Sequence, residues 1–285
     1  MKENMGTTIQ DFTMNARPAL WLDFYDYAAT LLENGSVPWL DQARFSAFHG
    51  RAQALLKSGV VHLPVEPIAD ALLAANPALV DAMRAKSRTG YPLRRLLEEP
   101  ALREAVARLL EPLRAANADR PLALMVPSPR RWLALAYRAA RGQALAAEVA
   151  GNGDEIGAAA VYVADFLRAF ADCGLDAVVL VESPGQAPAS AQELSWYDPV
   201  INKAHHYRWE VGLLDASPQE PVSAGGVDFH IAPTLPEGMA GGIMLGPDFW
   251  MGTRPPAPGA GCFHYAVVPA AAVPETVLQR LTEMA

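Results

Sequence analysis

The sequence predicts an α/β protein, a single-domain (β/α)8 barrel with extra N-terminal helices. Three observations predict it. Short apolar runs alternate with stretches whose apolar residues recur three and four apart, as in a parallel sheet wrapped by helices. Seven strand-like runs can be counted, and "PALWLDF" is an eighth if it is extended rather than helical. The turns after the strands read "PSPRR", "ESPG" and "APTLPEG", so neither of the common glycine-rich phosphate loops is present. A doubly wound open sheet is the rival arrangement.

In chain order, residues 1–15 are polar and read as a flexible N-terminus, with the barrel domain spanning 16–285. A helix is expected from Ala19 to Glu33, closed by "NGSVP". The next covers "LDQARFSAFHGRAQALLKSG" and ends on Gly59 as its cap. "VVHLPVEP" is a strand candidate, and Pro67 to Ala118 is helical in pattern. Leu122 to Val126 suits a buried parallel strand, followed by a helix from Arg131 to Arg141. Asp154 is placed as the N-cap of "EIGAAAVYVADFLRAFADCG", which Gly174 stops. A second buried strand, Ala177 to Val181, ends on Glu182. Further strands are expected at Trp209–Leu214, Val227–Ala232, Gly242–Leu245 and His264–Val268, and "PETVLQRLTEM" is the closing helix.

Composition narrows the function. The 285 residues are 51% hydrophobic and 19% charged, enough for a sizeable core. A net charge of −8 argues against nucleic acid and against an anionic membrane as partner. Two cysteines fit a reducing compartment, and the first residues lack the apolar run of a signal peptide, so a cytoplasmic protein is expected. The expected partner is a small-molecule substrate, and the alanine- and leucine-rich helices at 67–118 leave room for a homo-oligomer.

Ligands of parallel α/β folds bind at the C-terminal ends of the strands, which ranks the polar residues. Glu182 leads, because it directly follows five apolar residues; such a carboxylate can orient an amine, bind a metal or act as a base. Arg130 and Arg131 can clamp a carboxylate or phosphate. Asp248 follows its strand, and His230 is an acid, base or ligand if it points inward. "AHHYRW" adds His205, His206, Tyr207 and Arg208. Adjacent histidines diverge and make a poor chelating pair, so this loop is expected to contact substrate or anchor the fold. Catalytic roles are therefore placed on Glu182, His206, His230 and Tyr207, and substrate binding on Arg130, Arg208, His205 and Asp248. Cys262 and His264 look like half a zinc site but fall at the start of a strand, away from the expected mouth.

The segment "YVADFLRAFADCGLDAVVLVESP" resembles the helix–strand unit of the uroporphyrinogen decarboxylase and cobalamin-independent methionine synthase superfamily, with Val181, Glu182 and Pro184 at the strand end. "RPLALMVPSPRRWLALAYRAA" looks like the preceding unit, and the resemblance spans roughly residues 120–270. It implies a (β/α)8 barrel with a deep site at the C-terminal mouth. One branch of that superfamily uses zinc to hold a thiolate for methyl transfer; another uses Arg, Asp and Tyr to bind carboxylates for decarboxylation. This chain has no His-x-Cys pair for the first and lacks the N-terminal arginine segment of the second. No ligand set is assigned, and zinc stays open as a cofactor. The expected function is methyl transfer to or from a small carboxylate or aromatic substrate. A metal-free decarboxylase or other lyase, and a non-catalytic small-molecule binder, are the alternatives.

Overall fold

The computed structural model describes residues 8–15, 19–185, 189–223 and 225–284. Eight strands form one parallel sheet: β1 (Leu20–Asp23), β2 (Val61–Pro64), β3 (Leu122–Pro127), β4 (Ala177–Val181), β5 (Glu210–Leu214), β6 (Phe229–Ala232), β7 (Gly241–Met244) and β8 (Cys262–Val267). β2 to β8 pair in chain order and β8 pairs with β1. The result is a nearly closed (β/α)8 barrel flanked by helices, not an open sheet. Strand alternation separates two cores. Trp21, Ala123, Met125, Val179, Leu214, Ile231, Phe263 and Tyr265 fill the barrel. Leu22, Leu63, Leu124, Leu180, Leu213 and Ala266 face the helices.

The first expected helix is the largest correction. Residues 20–23 are β1, and the helix begins only at Tyr25 and runs to Leu32. Leu20, Trp21 and Leu22 are all buried, because a barrel strand is covered on both faces and needs no polar alternation. Two helix ends also differ from expectation. The helix Gln42–Leu56 is capped by Lys57 in the left-handed conformation, whereas the Gly59 amide donates to the Leu20 carbonyl. The helix Gly153–Leu167 is capped by Asn152, whose side chain accepts from the amides of Asp154 and Glu155. Asp154 therefore lies inside that helix. "AHHYRW", expected as a loop, begins inside the helix Asp198–His206.

The pairing ladder does not continue between β1 and β2. Ser58 bridges the gap: its hydroxyl oxygen accepts from the Leu22 amide at 2.9 Å, and its hydroxyl lies 2.7 Å from the Val60 carbonyl. Within the segment expected to be flexible, residues 1–7 are outside the described residues, and a helix covers Ile9–Asn15. Its Ile9 and Phe12 are buried against the barrel core, and the Ile9 amide donates to Glu210 at the start of β5. This helix closes the barrel's N-terminal end. Among the described residues no helix is long and apolar enough to cross a membrane.

Gly212 of β5 faces the barrel interior, where a Cβ would lie 2.5 Å from the Phe229 ring. Gly212→Ala is expected to destabilise the fold by about 1–3 kcal/mol through overpacking. A urea titration reads this as a lowered midpoint, and an unchanged midpoint would show that the ring moves aside freely.

Candidate active site

The C-terminal ends of the strands surround a cavity of about 430 Å³. Asp23, Pro64, Met125, Pro127, Val181, Glu182, Leu214 and Tyr265 supply its floor and inner wall. Tyr25, Asp26, Trp39, Glu66, Asp70 and Arg131, from the helices and loops that follow β1, β2 and β3, supply its rim. The size suits a metabolite rather than a polymer.

Glu182 lies where the sequence places it, immediately after β4, and is 2% exposed. Three donors hold it: the Ser128 hydroxyl at 2.8 Å and Arg130 Nε at 2.7 Å on one oxygen, and the Tyr197 hydroxyl at 2.8 Å on the other. Burial works against the Arg130 charge, but Glu182, helped by Tyr197 and Glu193, outweighs that and raises the guanidinium above the usual arginine value. Burial and the same carboxylate push the Tyr197 phenol well up, so it stays a donor. Arg131 donates to the Glu182 carbonyl at 2.8 Å. The predicted pair thus splits its work: Arg130 holds the Glu182 carboxylate from behind, and Arg131 lines the cavity.

A second polar group at the mouth escapes the sequence reading. Trp21 Nε1 donates to His62 Nδ1 at 3.1 Å, inside the barrel. A neutral His62 must then carry its proton on Nε2. That nitrogen is buried, has no hydrogen-bond partner among the described residues, and lies 3.7 Å from an Asp23 carboxylate oxygen. The Tyr265 hydroxyl approaches the other oxygen at 3.4 Å. Burial raises Asp23, but the His62 ring and the neighbouring donors outweigh it and bring the carboxyl below its ordinary value. The Asp23 side chain keeps 30% of its exposure, so it is an anion that a ligand can reach.

Asp70 sits on the same rim under the opposite influence. Its side chain is exposed, and the partial desolvation it meets at the rim raises its pKa, with Arg138 and Arg131 only partly offsetting this. Arg131 itself is paired with Glu66 at 2.7 Å. One cavity therefore holds carboxyl groups pushed in opposite directions, an arrangement that can assign one to hold charge and the other to exchange a proton.

The remaining sequence candidates lie elsewhere. His205 and His206 end their helix on the surface, at the N-terminal side of the barrel, and His205 pairs with Asp228 at 2.9 Å. Tyr207 packs against Trp209, and Lys203 lies over its ring. Arg208 is exposed and takes a left-handed φ of 62° where the chain turns into β5. His230 is buried on the outer side of β6, since its neighbours Phe229 and Ile231 fill the barrel. Burial lowers its pKa. Asp248 is exposed beyond β7, where its carbonyl accepts the amides of Met251 and Thr253. None of these six lines the mouth cavity. Asp23 and His62 were detectable in principle: "PALWLD" ends on a carboxylate just as "AVVLVE" does, and the helix assignment concealed it.

Cys262 and His264 each direct a donor to a carbonyl, of Met239 and Pro256 respectively, at the opposite end of the barrel. Among the described residues no three His, Cys, Asp or Glu side chains are grouped to hold a metal ion. The residues present therefore do not fit the zinc centre left open by the sequence. The fold and the site define a (β/α)8 barrel with a polar, metabolite-sized mouth. Compared with known proteins, the chain matches no family model, no curated protein and no solved structure.

Proposed function

We propose that the protein is a small-molecule enzyme whose reaction takes place at the C-terminal mouth. The observation that carries this reading is Asp23: a reachable carboxylate at a strand end, faced by a tautomer-fixed imidazole and a phenol inside a metabolite-sized cavity. Asp23 holds or stabilises positive charge, while Asp70 gives or takes a proton. Arg131 and Glu66 shape the rim, and the Glu182 bracket fixes the β3 and β4 ends that form the wall. Of the reaction types implied by the superfamily resemblance, methyl transfer suits this mouth better than decarboxylation of a polycarboxylate. The latter needs cationic side chains, and Arg131, the one in the described lining, is paired with Glu66.

The test is a metabolite screen in which protein-dependent loss of substrate is followed by mass spectrometry. Asp70→Asn is expected to slow turnover at least tenfold with binding largely kept, and Asp23→Asn to weaken binding as well. A turnover that survives both substitutions at the wild-type rate would remove the reaction from this mouth.

A further inference from the structure

The lining of the mouth identifies the class of ligand it takes. We infer that the cavity binds a small organic cation, a substituted ammonium group, with Asp23 as counter-ion and Trp39 as the aromatic wall. This rests on the reading that the mouth is the working site, and it departs from the small carboxylate expected from the sequence.

The charge balance comes first. Five carboxylates line the cavity, Asp23, Asp26, Glu66, Asp70 and Glu182, against the single guanidinium of Arg131. Arg131 and Arg130 are committed to Glu66 and Glu182. Asp23, Asp26 and Asp70 then have no lysine or arginine within ion-pair distance among the described residues. A low-dielectric cleft lined by one sign of charge concentrates ligands of the other sign.

The second observation is the unsatisfied polarity beneath. His62 is 2% exposed, and among the described residues Nε2 has no hydrogen-bond partner while facing the carboxylate at 3.7 Å. With Nδ1 occupied by the Trp21 indole, the ring presents its proton to Asp23 from below and keeps it an anion. The free side of that anion faces the cavity.

The third is aromatic. Tyr25, Trp39 and Tyr265 all line the cavity. The Trp39 ring packs against Tyr25 at 5.0 Å and 45° and against Phe45 at 5.5 Å and 35°, and it stays half-buried where it lines the cavity. Indole and phenol faces attract cations, more strongly when water is partly excluded. A metal ion is a poorer fit, because among the described residues no three His, Cys, Asp or Glu side chains are grouped to hold one. A diffuse charge with apolar substituents matches both the carboxylates and the rings.

The experiment is isothermal titration of the whole protein with three probes: choline, the uncharged alcohol in which carbon replaces the choline nitrogen, and glutarate. Choline is expected to bind saturably and the other two at least tenfold more weakly. Asp23→Asn and Trp39→Ala are each expected to weaken choline binding about tenfold or more. The Trp39 change is at a half-buried rim position and keeps the test valid if Asp23→Asn folds poorly. Equal binding of the uncharged alcohol, tighter binding of glutarate, or no choline binding at tens of millimolar would overturn the inference. Choline binding with no cation ever chemically changed would support it while ending the enzyme reading.

Discussion

Replacing Glu182 by Ala is expected to destabilise the protein by about 3–5 kcal/mol, the range for breaking a buried ion pair from one side. The loss is large because three donors converge on one carboxylate. Arg130, whose side chain is 10% exposed, would keep its charge after losing the carboxylate 2.7 Å from its Nε, with the Glu193 carboxylate farther off at 3.8 Å. The buried Tyr197 and Ser128 hydroxyls would lose their acceptor too. Urea unfolding of Glu182→Ala reads the effect directly. The double variant Glu182→Ala/Arg130→Met separates the cause: if the stranded guanidinium dominates, the double variant is more stable than Glu182→Ala alone. A double variant worse than either single change would place the energy in packing instead.

Acid is expected to weaken the fold through His49. This ring is buried among Phe24, Tyr25 and Phe45. Burial, aided by the nearby His62, lowers its pKa from 6.5 to about 3. The unfolded chain therefore takes up a proton near pH 6.5 that the folded protein refuses until about pH 3. Stability from this group is complete above the upper value and is lost as pH falls through the window, by about 1.4 kcal/mol per pH unit. Near pH 5 the loss amounts to about 2 kcal/mol. His230 and His264, also lowered by burial, act in the same direction. His49→Leu is expected to shed its share of the slope when urea midpoints are compared between neutral pH and about pH 5. An identical slope in wild type and variant would show that His49 is not the sensor.

The sequence made most of the barrel legible because its strands are apolar runs bounded by proline and glycine. "LALMVP" and "AVVLV" are covered on both faces, and only such strands tolerate six and five apolar residues without alternation. β1 failed the same reading because it has four residues and runs almost directly into the helix "YDYAATLL", which extends the apolar pattern. That one misassignment also hid the site, since Asp23 is the last residue of β1. Glu182 was found by its position after a strand, but position says nothing of the three donors that enclose it. Those come from Ser128, Arg130 and Tyr197, on two other segments. "AHHYRW" attracted attention by composition alone. It precedes β5, and residues that precede a strand of a parallel barrel belong to the end away from the mouth.

The interruption between β1 and β2 bears on the site itself. Asp23 stands on one lip of this seam and His62 on the other, and the barrel wall between them is stitched by the Ser58 side chain rather than by a full strand ladder. The weakest line in the staves is thus the line across which the carboxylate meets its imidazole. The Ser58 hydroxyl, the Gly59 amide on the Leu20 carbonyl and the Trp21 indole on His62 hold this seam together, so the same few bonds that keep the vessel shut also keep the anion beside its imidazole.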